Sequence, residues 1–398
     1  MPCARRACTW VVIGAVAAGC TGDIGGAAGM GGGGGGGSGG AGGMAGAGGA
    51  GGAGGAGGSA GTGGTGGAGG AGGAGGVGGA GGMGGAGGAG GMGGVGGAGG
   101  TAGSGGAGGT GGSGGAVGMG PTIAGCPVFP ADNAWNRDIS NDPVDANSGN
   151  YIASIGAATG LHPDFGSNLS YGIPYVVVPQ DQPRVPITFD YMSESDPGPY
   201  PIPPNPPIEG GPGATGDRHI LIITSGECYL YEIFAAQLTG GMWHGGSGAI
   251  WHLQVDWTRP AGWTSADAAG LPIFPGLVRY DEVAAGAINH ALRFTVQRSQ
   301  AGYVAPASHF ASSSTDPNLP PMGLRVRLKA SVDLSTYPQS AQVILRALQR
   351  YGMMVADNGS NWFISGASDA RFVDDELLTI RNIHGSDFEV IQLGPIQR

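Results

Sequence analysis

Lysine is nearly missing from this chain: Lys329 is the only one, and the other basic residues are arginines. Charge of either sign is scarce, at 11% of 398 residues, and from Ile24 to Gly120 there is none. What charge exists is acidic, 27 Asp and Glu against 17 Lys and Arg, for a formal net charge of −10. An acidic chain repels phosphate backbones and anionic lipid, so no nucleic-acid partner is expected. Metal-ligand spacing is absent around His219, His244, His252, His290 and His309, so no metal and no other cofactor is expected. After the first 20 residues no apolar run reaches the ~20 residues of a membrane-spanning helix. Strict Gly-X-Y periodicity with abundant proline is also missing, which excludes a collagen helix.

What the chain has in excess is glycine, 92 residues, packed mainly between Ile24 and Gly120 with alanine and scattered Ser, Thr, Met and Val. Repeats of Gly-Gly-Ala offer no side chains to bury and cannot offset their own conformational entropy, so residues 20–125 read as a disordered linker. In composition the tract is similar to the Gly-Gly-Ala arrays of some mycobacterial surface proteins. A flexible chain of this length spans on the order of 50–60 Å. The excess of Arg, Ala and Gly points to a GC-rich bacterial genome.

The extreme N-terminus follows the grammar of an export signal: Arg5 and Arg6, an apolar stretch from Ala7 to Ala18, then the small residue Gly19. The string Val16-Ala17-Ala18-Gly19-Cys20 resembles the lipobox of bacterial lipoproteins. That resemblance implies a signal peptide over 1–19, lipidation of Cys20, and a protein held to the cell envelope by its N-terminal lipid, with the glycine tract as a tether. Thr21, where some inner-membrane lipoproteins carry Asp, favours the outer membrane or cell surface. Of five cysteines, Cys3 and Cys8 would be lost with the signal and Cys20 lipidated, which leaves Cys126 and Cys228 to form a disulfide.

Residues 126–398 then form a single exported domain, long enough for a sizeable core. Removing Arg5, Arg6 and Asp23 leaves it the more acidic for its size. Strand signals dominate. Tyr175 to Val178 and Val185 to Phe189 are β-branched runs bounded by prolines, and His219 to Thr224 pairs with Cys228 to Ala235 across Ser225-Gly226-Glu227. Ala249 to Trp257 alternates, with Trp251, Leu253, Val255 and Trp257 on one face and His252, Gln254 and Asp256 on the other. Further strands are expected over His290 to Val296, Leu324 to Val332 and Phe388 to Leu393, with Met353 to Ala356 and Trp362 to Ile364 joined across Asp357-Asn358-Gly359. One amphipathic helix follows Thr336, burying Ala341, Ile344, Leu345 and Leu348, and a short one starts at Asp374. Many strands, few helices and no βα alternation point to a mainly β or α+β domain, a largely antiparallel sandwich with a few peripheral helices.

Four of the seven tryptophans fall between Trp243 and Trp263. Indole rings beside polar groups are how proteins grip sugar rings, so Trp243 and Trp263, in Gly-rich stretches, are candidate ligand-stacking residues. Trp251 and Trp257 read as core. Glu232 shares a strand face with Cys228, Leu230 and Phe234, where burial would raise its pKa towards that of a general acid. With His252 and Asp256 it makes a candidate catalytic set for glycan cleavage, which uses two carboxylates. Arg325 and Arg327, with Lys329, form a cationic face able to hold a uronate or phosphate. Gly245 to Ala249 falls one residue short of a nucleophile elbow, and Thr264 with Asp267 reads as a helix capping box.

The strings Asp267 to Tyr280, Ile288 to Leu292 and Arg350 to Gly359 are similar to segments of an uncharacterised family of secreted bacterial proteins. That likeness implies a single exported domain and no particular activity. The sequence reading is therefore a membrane-anchored envelope lipoprotein whose exported domain binds a polysaccharide, with the Glu232 set as candidates for cleaving it. The alternative is a non-catalytic adhesion or scaffold module.

Overall fold

The computed structural model describes residues 120–398; the expected signal peptide, Cys20 and the linker up to residue 119 lie outside the described residues. In chain order the first strands are β1 (Thr122–Ile123), β2 (Cys126–Pro127), β3 (His162–Asp164), β4 (Tyr175–Val178) and β5 (Ile187–Phe189). Then come β6 (Ile220–Thr224), β7 (Tyr229–Phe234), β8 (Gln237–Thr239), β9 (Met242–Gly245) and β10 (Ser247–His252). The last five are β11 (Leu292–Val296), β12 (Arg325–Leu328), β13 (Met353–Asn358), β14 (Phe363–Ser365) and β15 (Phe388–Val390). The α-helices are few: α1 (Ser148–Ile155), α2 (Tyr280–Ala285), α3 (Gln339–Arg350) and α4 (Asp374–Leu378).

Two sheets carry the architecture, one of four strands in the order β10-β7-β6-β4 and one of six in the order β15-β12-β13-β11-β14-β3. A three-stranded sheet β5-β9-β8 and the β1-β2 ribbon complete it. Pairing is largely antiparallel, with parallel contacts at β4-β6, β5-β9, β11-β13 and β14-β3.

Strand periodicity divides the side chains of β6 and β7 between two cores. Leu221, Ile223 and Leu230 join the larger core with Phe294 and Val326 of the six-stranded sheet. Ile220, Ile222, Tyr231 and Ile233 face a smaller core closed by Ile187, Phe189 and Tyr200. A strand buried on both faces has no polar alternation to show, which is why both arms of this hairpin are apolar apart from Glu232 and Thr224. α3 adds Ala341, Ile344, Leu345 and Leu348 to the larger core. After it ends at Arg350 the chain turns at Gly352, whose φ is +67° and where a Cβ would come within 2.2 Å of the Val326 carbonyl oxygen, so only glycine fits the turn into β13.

Three expectations change. β13 and β14 are not a hairpin: β11 lies between them, parallel to β13 and antiparallel to β14. Asp357 and Asn358 belong to β13 itself, paired with Thr295 and Val296 of β11, and the chain turns only after them, over 359–362. β10 ends at His252, so Val255 and Trp257 leave the strand and become 42% and 49% exposed instead of filling the core. β12 stops at Leu328, and its polar face is covered, since Arg325 and Arg327 are both buried.

The Cys126–Cys228 disulfide is formed, with Cα atoms 5.4 Å apart across a sequence separation of 102. Among the described residues no helix is long and apolar enough to cross a membrane.

Candidate functional site

Glu232 is fully buried, but it is an organising carboxylate and not one open to a ligand. Its Oε1 accepts the backbone N–H groups of Ile273 and Phe274 at 2.9 Å each, and its Oε2 accepts Trp251 Nε1 at 3.0 Å. Burial pushes its pKa up to about 7, against the lowering effect of these donors. It points to the larger core with Leu230, Ala249 and Trp251, whereas His252 projects from the other face of β10 and packs edge-on to Tyr229, ring centroids 4.7 Å apart. Asp256 lies beyond the strand end, exposed. The sheet therefore separates Glu232 from His252, and the expected catalytic set of Glu232, His252 and Asp256 does not converge.

The other expected residues are dispersed as well. Trp243 is in β9, not in a loop, half-buried against the smaller core in register with Ile187. Its neighbour His244 bridges Thr188 Oγ1 at 2.9 Å and Asp190 Oδ1 at 3.0 Å on the outer face of that sheet. Trp263 is half-buried with the Arg259 guanidinium 5.4 Å from its ring centroid. Ser247, centre of the near-elbow, is buried and donates to the Ser265 carbonyl at 2.6 Å. No helix follows Thr264; Asp267 is instead buried in a two-point ion pair with Arg293, at 3.1 and 3.2 Å.

Arg325 and Arg327 hold the chain, not a ligand. Arg325 donates to the Tyr351 carbonyl at 2.8 Å from Nε, to Ala134 at 2.6 Å and to Arg137 at 3.1 Å, and burial drives its pKa down to about 9. Arg327 pairs with Glu389 and donates to the carbonyls of Ile139 and Asp142. Together they pin the irregular segment 134–142 against β12. A side chain that alternates onto the polar face of a strand looks solvated only until another segment covers it.

That pinned segment helps build a concavity in which several aromatic and polar groups meet. A cavity of about 230 Å³ is walled by Asn133, Trp135, Trp251, Asp256, Trp257 and Thr258, and closed by the backbone near Gly270 and Pro306. Asn133 orders the rim: its Oδ1 accepts the Trp135 N–H at 2.9 Å, and its Nδ2 donates to Asp256 Oδ1 at 2.5 Å. The Trp135 carbonyl accepts the Ala291 N–H at 2.7 Å, and Arg325 holds the adjacent Ala134 carbonyl. Trp251 is fixed by Glu232, so the buried carboxylate sets one wall of the cavity from behind. Trp135 and Trp251 are almost fully buried, while Trp257 stands half exposed at the mouth.

Of the pocket residues, Asp256 stands out in the sequence as a candidate carboxylate, and Trp251 and Trp257 as candidates for the core. Asn133 and Trp135 were missed, although Asp132-Asn133-Ala134-Trp135 sets a large aromatic in a turn-forming string.

One group among the described residues has the donor atoms for a cation: Glu209, Asp217 and His219 bring one ligand atom each within 4.8 Å of one another. In this structure the site is an ion pair. His219 Nδ1 lies 2.6 Å from Glu209 Oε2 and Nε2 donates to the Ala266 carbonyl at 2.9 Å, so both ring nitrogens are hydrogen-bonded. Burial, the largest single influence, would lower the His219 pKa, but the Glu209 charge, its hydrogen bond and the Asp217 charge together raise it to about 9.

Comparison with protein-family models, curated proteins and solved structures finds no match for this chain.

Proposed function

We infer that this chain is an envelope-anchored protein whose exported domain binds an extracytoplasmic polysaccharide in the tryptophan pocket. The observation that carries the reading is the half-exposed Trp257 at the mouth of a cavity whose deeper lining includes Trp135 and Trp251, with Asn133, Asp256 and Thr258 as hydrogen-bonding groups. Apolar C–H faces of a pyranose stack on indoles while its hydroxyls need fixed polar partners, and this wall offers both.

Anchoring rests on Arg5, Arg6, the apolar run to Ala18 and Cys20, which together match export and lipidation. The membrane is then a partner through lipid alone, and the ligand lies outside the cytoplasm. Cleavage is not part of the reading, because Glu232 is enclosed and lies across the sheet from His252.

The test is a glycan array followed by calorimetric titration of the full chain. Binding to at least one neutral, acidic or amino glycan is expected, lost in Trp257→Ala with folding unchanged. A blank array, or binding untouched by Trp257→Ala, removes the reading. Labelling cells with radioactive palmitate, with Cys20→Ser as control, tests the anchor.

A further inference from the structure

The pocket carries one charged side chain, and it is a carboxylate. Asn133 and Thr258 are neutral, and no Lys, Arg or His lines the wall. Asp256 Oδ1 is occupied by Asn133 Nδ2, whereas its Oδ2 accepts no hydrogen bond among the described residues. A carboxylate held by one oxygen and open at the other, lining the same pocket as the half-exposed Trp257, is suited to an ammonium group. The opposite charge attracts it, and the negative face of the indole adds to that attraction. An N-acetylated or plain hydroxyl sugar gains neither term, and a uronate is repelled by Asp256 and by the acidic chain as a whole.

Two buried arginines stand behind the pocket wall, and neither enters it: Arg325 is spent on the carbonyls of Ala134, Arg137 and Tyr351. Arg259 lies 5.8 Å from the Trp251 ring centroid, but it is buried and bound to Asp196 Oδ2 at 2.6 Å, with further bonds to the Thr264 and Glu194 carbonyls. Its charge is compensated and its donors are in use.

We propose that the pocket selects glycans bearing free amino groups, such as de-N-acetylated hexosamine units, with the ammonium group against Asp256 and the sugar face on Trp257. The inference rests on the glycan-binding reading above and narrows it to a substrate class.

Calorimetric titration of the full chain with a glucosamine tetramer, an N-acetylglucosamine tetramer and cellotetraose decides it, at about pH 6 so that the amines are protonated. The glucosamine tetramer is expected to bind on the order of tenfold more tightly than the other two. Asp256→Asn, which keeps the shape and the contact with Asn133, should bring that ratio close to one. Trp257→Ala should weaken all three. Equal or tighter binding of the acetylated or neutral oligomer overturns the amino-sugar inference and leaves the pocket reading standing. A glucosamine preference that survives Asp256→Asn also overturns it, since it would reflect the overall acidity of the protein. No binding of any oligomer, with a blank array, removes both.

Discussion

Trp251 Nε1 donates to Glu232 Oε2 across 3.0 Å, joining two neighbouring strands through their buried faces. The same carboxylate gathers the N–H groups of Ile273 and Phe274, so one side chain fixes a pocket wall on one side and a loop on the other.

Glu232→Gln should therefore lower stability by about 1–3 kcal/mol, because the amide end presents an N–H to donors that need an acceptor. Ligand affinity should change little if Trp251 keeps its place. Denaturant unfolding paired with calorimetric titration checks both halves. A large loss of affinity at unchanged stability would contradict the supporting role given to Glu232.

Alkaline pH should weaken the fold. His219 has a folded pKa of about 9, above the ordinary 6.5, so its contribution is complete below about pH 6.5 and is lost as pH rises through 9. Glu232, raised to about 7, acts in the same direction at lower pH: its contribution is complete below its ordinary 4.5 and is lost as pH rises through 7. Melting temperature should fall between about pH 6.5 and pH 9, and His219→Gln should flatten the upper part of that slope.

Reducing the Cys126–Cys228 bridge should destabilise the domain by roughly 4–5 kcal/mol if loop-closure entropy governs, given a loop of about 100 residues. Thermal melts with and without reductant, against a Cys126→Ser and Cys228→Ser double variant, measure it. Two free thiols in exported protein would contradict the pairing.

Arg325→Ala should cost stability and weaken ligand binding together, since the guanidinium holds the carbonyl of Ala134 beside Trp135. Trp257→Ala should separate the two effects, losing binding with stability nearly unchanged because the ring is half exposed. Unfolding curves for both variants beside their titrations show whether the split holds.

The sheet content, the β6-β7 hairpin, α3 and the disulfide were legible because each rests on local chemistry: periodicity, a turn string, an amphipathic stripe, a cysteine count. What escaped depends on long-range covering. Arg325 and Arg327 alternate onto a polar face that only the segment 134–142 turns into an interior. Trp257 looked like core because the strand pattern of β10 continues past His252, where the strand itself stops. β13 and β14 lie close in sequence, yet nothing local records that β11 sits between them. The pocket was half visible for the same reason: Asp256 and its neighbouring tryptophans stood out, but Asn133 and Trp135 come from 120 residues earlier.

The disulfide also sets a path for force. Cys126 stands at the beginning of the folded chain and Cys228 at the entrance to β7, a strand flanked by β6 and β10. A pull on the chain ahead of Cys126 is delivered through a covalent bond to the middle of the four-stranded sheet. Once the short β1-β2 ribbon, whose first strand lies ahead of Cys126, has opened, the load falls on two strand ladders in parallel.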